Sequence, residues 1–509
     1  MRSLPYWIVG GITALAGFLR LFHVARESIW FDESVSIWLA RMDLRSMWNI
    51  VATSEPNMSL YYLLLHAWLS LGESEFVVRS LSAVVGIVTI PIVFLLCRRL
   101  FNTRAALIAS LLFAANTFHI RYSQEARSYT LLVLFVTLSS LYFVRAIERK
   151  SRLDWVWYVV TATLASYSHF FAWLVLGAQW LSLLALPRRD VPWRRVAVSI
   201  AAIALMSAPL MAAILLGKID HLSWIPRSDF SKLYELFVDF TGLSNKGVPL
   251  FALVCLVGAY FAIRGRKWNT SGFARWHVVL LVIWLFLPVL LTFGASAWRP
   301  IFVERFLIIS LPPFVMLTSA AIALIPSRFA VAAVALIYLA SEARAIDMSE
   351  KKLTKQDWRG ATGYILSQEQ PADGIFFYVP GIKPAFDYYS RLDGHSWDAG
   401  SILYAAPDAS GHMDVFSTSL PPNLHKQFPR VWLVQALLYS PQLVQKGQTL
   451  RDNFGGEYRA VAERDFNFGL EVILYSSEKV DTAATASIAP VGDLKEAEKK
   501  KAHSAPKRE

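Results

Sequence analysis

Apolar blocks of about 15–25 residues recur from the N-terminus to about Ala345, each long or nearly long enough to cross a bilayer as a helix. The pattern predicts spans at about 6–24, 79–97, 105–121, 129–147, 154–168, 170–186, 196–216, 248–263, 277–296, 306–325 and 328–345, a polytopic α-helical membrane protein of about 11 transmembrane helices. The first block contains Ala14-Leu15-Ala16, the small-x-small form of a signal-peptide cleavage site, but its hydrophobicity continues to Val24, which favours an uncleaved helix. The apolar run 60–71 is too short to span. Its aromatics and His66 suit a helix lying at the interface, inside a large loop from 25 to 79.

The rhythm changes after residue 345. Short apolar runs at 375–380, 431–434 and 470–475 predict strands, with a helix over 358–368, so 346–476 reads as a small α/β domain behind a 1–345 membrane module. From 477 to 509 the chain is Ala, Lys, Glu and Pro without periodicity and predicts a disordered tail.

Composition agrees with lipid as the solvent. Of 509 residues, 55% are hydrophobic and 17% charged, against roughly 45–50% and 25% in soluble domains. A soluble multidomain enzyme and a disordered or fibrous protein are excluded. The net charge of +12 suggests nucleic acid until the basic residues are placed. Arg98, Arg99 and Arg104, then Arg145, Arg149, Lys150 and Arg152, then Arg188, Arg189, Arg194 and Arg195, then Arg264, Arg266, Lys267 and Arg275 fall in loops on one side, which the positive-inside rule makes cytoplasmic. Glu27, Asp32, Glu33, Glu55, Glu73, Glu75, Asp220, Asp229, Glu235 and Asp239 lie in the opposite loops, and the C-terminal domain falls on that extracytoplasmic side. Cys97 and Cys255 sit in apolar segments, where they act as small hydrophobes.

Chemistry gathers in the outer loops. Trp30-Phe31-Asp32-Glu33-Ser34 follows the first span; two acids there either start a solvated helix or supply a general base that takes a proton from an attacking hydroxyl. Glu55-Pro56-Asn57 shares that loop. In Arg121-Tyr-Ser-Gln-Glu-Ala-Arg-Ser-Tyr129, Arg121 and Glu125 are four apart and can pair on one helix face, which leaves Arg127 as a phosphate ligand or an interfacial anchor. His169, in a tight turn, is structural or orients a phosphate or acceptor. Trp298-Arg-Pro-Ile-Phe-Val-Glu-Arg-Phe306 brings Arg299, Glu304 and Arg305 to the head of a helix that Pro312-Pro313 should kink. No Gly-rich phosphate loop, CxxC or HExxH occurs, so the energy source is something other than a bound nucleotide, and an activated lipid fits an outward site.

The motifs resemble the GT-C glycosyltransferases that use polyprenyl-phosphate sugars, in particular the bacterial relatives of protein O-mannosyltransferases, of the lipid A aminoarabinose transferase and of the lipopolysaccharide galacturonosyltransferases. The resemblance rests on Trp30-Phe31-Asp32-Glu33, Leu60-Tyr-Tyr-Leu-Leu-Leu-His66, Gly72-Glu-Ser-Glu75 with Arg79-Ser-Leu-Ser82, Tyr122-Ser-Gln-Glu-Ala-Arg-Ser-Tyr129, Glu304-Arg305-Phe306 and, more weakly, Lys355-Gln-Asp-Trp-Arg359. It implies inverting transfer of a hexosyl or pentosyl group from a polyprenyl phosphate to a hydroxyl of a glycan, lipid or protein, at the plasma (inner) membrane of a bacterium. Asp32 is then the general base, Glu33 holds acceptor or loop, and Arg127, Arg305, Arg299, Glu55, His169 and Glu125 form the donor-phosphate or substrate site. A divalent metal suits such chemistry, but no ligand spacing supports one, and no nucleic acid partner is implied. Relatives often carry His-Pro-Pro or Lys-Pro where this chain has Glu55-Pro56-Asn57, so arginines must supply more of the charge. A transporter or lipid flippase is the alternative; it would place charges or broken helices near mid-membrane and often show repeats.

Overall fold

The computed structural model describes residues 4–53, 55–216, 225, 228–242, 247–263, 272–351, 355–395, 397, 401–404, 418–436 and 441–477. The tail from 478, Asp220, and Arg264, Arg266 and Lys267 lie outside them. Contacts divide the described residues into two units, one within Met1–Arg26 and Ser36–Leu353, the other within Glu27–Val35 and Thr354–Glu509.

The first unit is helical: α1 (Leu4–Leu21), α2 (Phe31–Arg41), α3 (Leu44–Thr53), α4 (Ser59–Trp68), α5 (Glu75–Leu100), α6 (Thr103–Ala115), α7 (Thr117–Ser123), α8 (Tyr129–Arg149), α9 (Arg152–Ser168), α10 (Ala172–Ser182), α11 (Trp193–Leu216), α12 (Phe230–Thr241), α13 (Gly247–Ile263), α14 (Ala274–Ala295), α15 (Leu311–Leu324) and α16 (Arg328–Lys351). The unit boundary falls inside α2, between Val35 and Ser36. A helix stands at each of the 11 expected positions; among the described residues seven helices are long and apolar enough to cross a membrane, or up to eight if α6 and α7 count as one span. The loop 25–79 holds three helices, and the expected interfacial one is α4 with a 3-10 turn to Leu71. Trp7, Leu184, Leu205 and Leu336 are exposed on the helical unit, which suits a lipid surroundings.

The basic loops collect at one end. Arg99 bonds Glu148, His277 Nε2 lies 2.8 Å from the same carboxylate, Arg145 lies 2.8 Å from Asp154, and Arg195 donates to the Lys150 carbonyl. Helices that start there finish at the opposite end, where the turn after α9 and the link before α8 meet.

Two local features differ from the sequence reading. The span expected at 105–121 is broken at Asn116 and bent by 56°. The break leaves carbonyls without helical partners; Arg20 of α1 donates to those of Ala114 (2.8 Å) and Phe113 (3.3 Å), while Asn116 accepts from His119 N (3.0 Å) to start α7. Buried Glu342 accepts from Thr117 N at 2.9 Å. Nor does Pro312-Pro313 kink a helix interior: the pair lies in the first turn of α15, after the 3-10 turn Glu304–Ser310, where a missing N–H costs nothing.

The second unit combines Glu27–Val35 with α17 (Trp358–Gln368), β1 (Gly374–Phe377), α18 (Lys383–Leu392), β2 (Ile402–Leu403), α19 (Leu424–Gln427), β3 (Arg430–Gln435), α20 (Pro441–Glu457), β4 (Arg459–Asp465) and β5 (Glu471–Ser476). Its sheet runs β2-β1-β3-β5-β4, with β1 parallel to β2 and β3 and with β5 antiparallel to β3 and β4. β1, β3 and β5 are nearly continuous apolar runs because both of their faces are covered. Trp358, Phe376, Trp432 and Phe454 fill the core. Asp357 caps α17 by accepting from Gly360 N at 2.9 Å.

Candidate active site

In the helical unit, α9 ends at Ser168 and α10 begins at Ala172, so His169 is confined to a tight turn. The ring is 1% exposed and packs among Phe170, Phe171 and Phe306, with centroids 5.0, 5.3 and 4.8 Å away. Phe171 N donates to Nδ1 at 3.2 Å, which puts the proton of the neutral ring on Nε2. Nε2 has no hydrogen-bond partner among the described residues. Burial first, and then the charges of Arg127 and Arg305, push the imidazole down to about 3, so it stays neutral.

Arg127 is half-buried in the link between α7 and α8. Its carbonyl accepts from Ser82 Oγ (3.1 Å), and that hydroxyl lies 3.0 Å from Tyr61 Oη; both residues come from motifs singled out in the sequence. Its guanidinium donates to Ser36 Oγ (3.3 Å) and lies 6.0 Å from the Tyr129 ring centre. Arg305 opens the Glu304–Ser310 turn, 5.5 Å from the ring of Phe306, which itself packs on Tyr129. The fold thus brings Arg127, Arg305 and His169 onto one aromatic floor. Two guanidiniums and a buried N–H form a donor set suited to an anion such as a phosphate.

The other expected residues are placed differently. Glu125 is buried and lies past the end of α7 at Ser123; the charges of Arg121, Glu125 and Arg305 all act on the Tyr122 hydroxyl. Arg121 also acts on Asp239, as do Glu235, Glu304 and Lys232, whose Nζ lies 3.6 Å from Glu304. Glu55 is half-buried, and its segment is pinned beside the His169 turn: Phe170 N donates to Asn57 Oδ1 at 3.1 Å, and Ser59 Oγ reaches the Tyr167 carbonyl at 3.5 Å. Arg299 is exposed in the turn after α14.

In the second unit, Asp32 and Glu33 occupy the first turn of α2, where carboxylates are favoured. Asp32 is half-buried and Glu33 fully buried. Glu33 Oε2 accepts from Trp30 N at 3.5 Å, the reciprocal half of a capping box, and lies 3.4 Å from Lys355 Nζ. Tyr389 Oη accepts from Ile29 N (2.6 Å) and Ser28 Oγ (3.2 Å). Lys355 was visible as the head of a weak motif; Tyr389 carried no local signal. Among the described residues no group of three or more His, Cys, Asp or Glu side chains could hold a metal ion.

The helical fold has counterparts among solved structures. Residues 54–214 match the model of the dolichyl-phosphate-mannose-protein mannosyltransferase family. The chain resembles ArnT from Cupriavidus metallidurans in the apo state (14% identity, 96% of this chain and 100% of that one, TM-score 0.62) and the same protein bound to undecaprenyl phosphate (12%, 96% and 100%, 0.59). It also resembles the archaeal oligosaccharyltransferase AglB from Archaeoglobus fulgidus, in complex with an inhibitory peptide and a dolichol-phosphate (11%, 96% and 75%, 0.54). No curated protein matches the chain.

Proposed function

We propose that this protein is a membrane glycosyltransferase that moves a hexosyl or pentosyl group from a polyprenyl phosphate to a hydroxyl acceptor, with inversion, on the extracytoplasmic face of a bacterial plasma membrane. The observation that carries the reading is the meeting of Arg127 and Arg305 on buried, neutral His169. It occurs in a fold like that of ArnT, a protein crystallised with undecaprenyl phosphate. The two guanidiniums and the His169 N–H hold the donor phosphate, and they stabilise the charge that grows on it as the sugar–oxygen bond breaks. Asp32 takes the proton of the acceptor hydroxyl as that oxygen attacks the anomeric carbon. The polyprenyl phosphate leaves with the bonding electrons, and no nucleotide takes part. Glu33 holds the loop. The acceptor is a cell-envelope glycan, lipid or protein.

Purified full-length protein given polyprenyl-phosphate sugars and envelope extracts should release polyprenyl phosphate together with a glycosylated product. Absence of both with every donor tried overturns the reading. Comparing the envelope glycans and glycoproteins of a deletion strain with its parent identifies the acceptor. Reporter fusions at about residues 50 and 480 should both report export, and a cytoplasmic signal from either contradicts the orientation.

A further inference from the structure

The segment that carries the acidic pair packs as part of the second unit, held there by side chains far away in sequence. Tyr389 accepts from Ile29 N at 2.6 Å and from Ser28 Oγ at 3.2 Å, and Ser28 Oγ in turn accepts from Arg359 N at 3.0 Å. Gly381 lies so close that a Cβ there would meet Phe31 Cε2 at 3.3 Å. Lys355 adds a charged grip. Its Nζ lies 3.4 Å from Glu33 Oε2 and 5.8 Å from the Trp30 ring centre, so it touches both the start of α2 and the residue beside Asp32. The Lys355 side chain is 10% exposed and that of Glu33 is 0% exposed, so the pair is largely out of water. Removing one partner of a buried pair weakens the hold on the other. The same Glu33 oxygen caps the first turn of α2, so its position bears on the backbone on which Asp32 stands.

We infer that Lys355 is a positioning residue for the transfer reaction: by holding Glu33 at the start of α2 it fixes the orientation of Asp32, which makes the unit after residue 354 part of the catalytic apparatus. The inference rests on the proposed function, because it assumes that Asp32 is the base. Lys355 touches no reacting atom. Its loss therefore acts on the chemical step through the geometry of Asp32, and small displacements of a catalytic group cost on the order of 10²-fold in rate.

The test uses full-length protein with Lys355→Met, Lys355→Arg, Glu33→Gln and the Lys355→Met/Glu33→Gln double variant. Kcat and donor KM are measured per folded enzyme, and hydrogen exchange is followed at the amides of 28–36. Lys355→Met should lower kcat by about 10–100-fold with donor KM nearly unchanged, and should speed exchange across 28–36. Lys355→Arg should restore most of both, and in the Glu33→Gln background Lys355→Met should add little to either readout. Wild-type kcat and exchange in well-folded Lys355→Met overturns the inference, as does a loss that is fully additive to Glu33→Gln. If the wild-type protein transfers no sugar, the functional reading fails; faster exchange in Lys355→Met then still shows the grip on 28–36, and unchanged exchange removes that as well.

Discussion

In the helical unit, Arg127, Arg305 and His169 are set by the ends of long helices, with the Ser82 hydroxyl holding a backbone carbonyl and Phe171 and Phe306 walling the imidazole. In the second unit, Asp32 stands on a segment whose ties include a capping contact, hydrogen bonds among Tyr389, Ile29, Ser28 and Arg359, and Lys355. The first arrangement is rigid because moving it means repacking helices. The second is held through polar contacts to single side chains, so changes in those side chains should act on rate before they act on folding. The difference suits the proposed chemistry: a charge-stabilising site gains from preorganisation, whereas a general base needs only to be correctly aimed.

The largest expected effect lies on the acid side. Asp32→Asn keeps the shape but cannot accept a proton, and should cost about 10²–10⁴-fold in kcat while the protein still accumulates. Glu33→Gln should cost less. Near-normal turnover by folded Asp32→Asn removes Asp32 from the base role.

On the arginine side, Arg127→Ala and Arg305→Ala should each cost about 10²–10³-fold in kcat, with the lysine variants in between because they keep the charge and lose the paired donors. The two alanine changes act on one phosphate and should combine less than additively. Wild-type turnover per folded molecule in both makes them interfacial anchors.

The imidazole offers a test by pH. Folded His169 titrates near 3 against an ordinary value of 6.5, so below 6.5 the unfolded chain binds a proton that the folded chain does not. The stability it supports is present above pH 6.5 and is lost as pH falls toward 3, by about 2 kcal/mol at pH 5. Thermal unfolding in detergent at pH 7, 6 and 5 should show this slope in the wild type and a flatter one in His169→Gln. Equal slopes contradict the buried, neutral ring.

A smaller change is expected for Tyr389→Phe. It removes the acceptor for Ile29 N and Ser28 Oγ, worth about 1 kcal/mol, and should slow transfer several-fold with little loss of yield. A drop in yield with normal turnover per molecule would show a folding role only.

The sequence made the long elements legible, because continuous apolar runs can do little else than form helices in lipid, and the runs at 375–380, 431–434 and 470–475 stand where β1, β3 and β5 are found. It did not show the break at Asn116, where one polar residue in an apolar run needs Arg20 and Glu342 from distant helices to become tolerable. Short helices such as α3 and α12 gave no signal because their packing comes from neighbours rather than from their own periodicity. Charge and motif singled out Arg127, Arg305 and His169 one by one, but that both guanidinium charges act on the buried ring is set by the packing of distant segments. The tie between Glu33 and Lys355, 322 positions apart, had no local signature at all.

The most direct test of the division between the two regions is the affinity of purified protein for undecaprenyl phosphate, measured side by side for wild type, Asp32→Asn and the Arg127→Ala/Arg305→Ala double variant. Asp32→Asn is expected to bind like wild type, and the double arginine variant at least about tenfold more weakly, since each lost charge-assisted contact is worth about 1.5–3 kcal/mol. Equal binding by all three, or no binding by the wild type, would contradict the assignment of the phosphate to Arg127, Arg305 and His169.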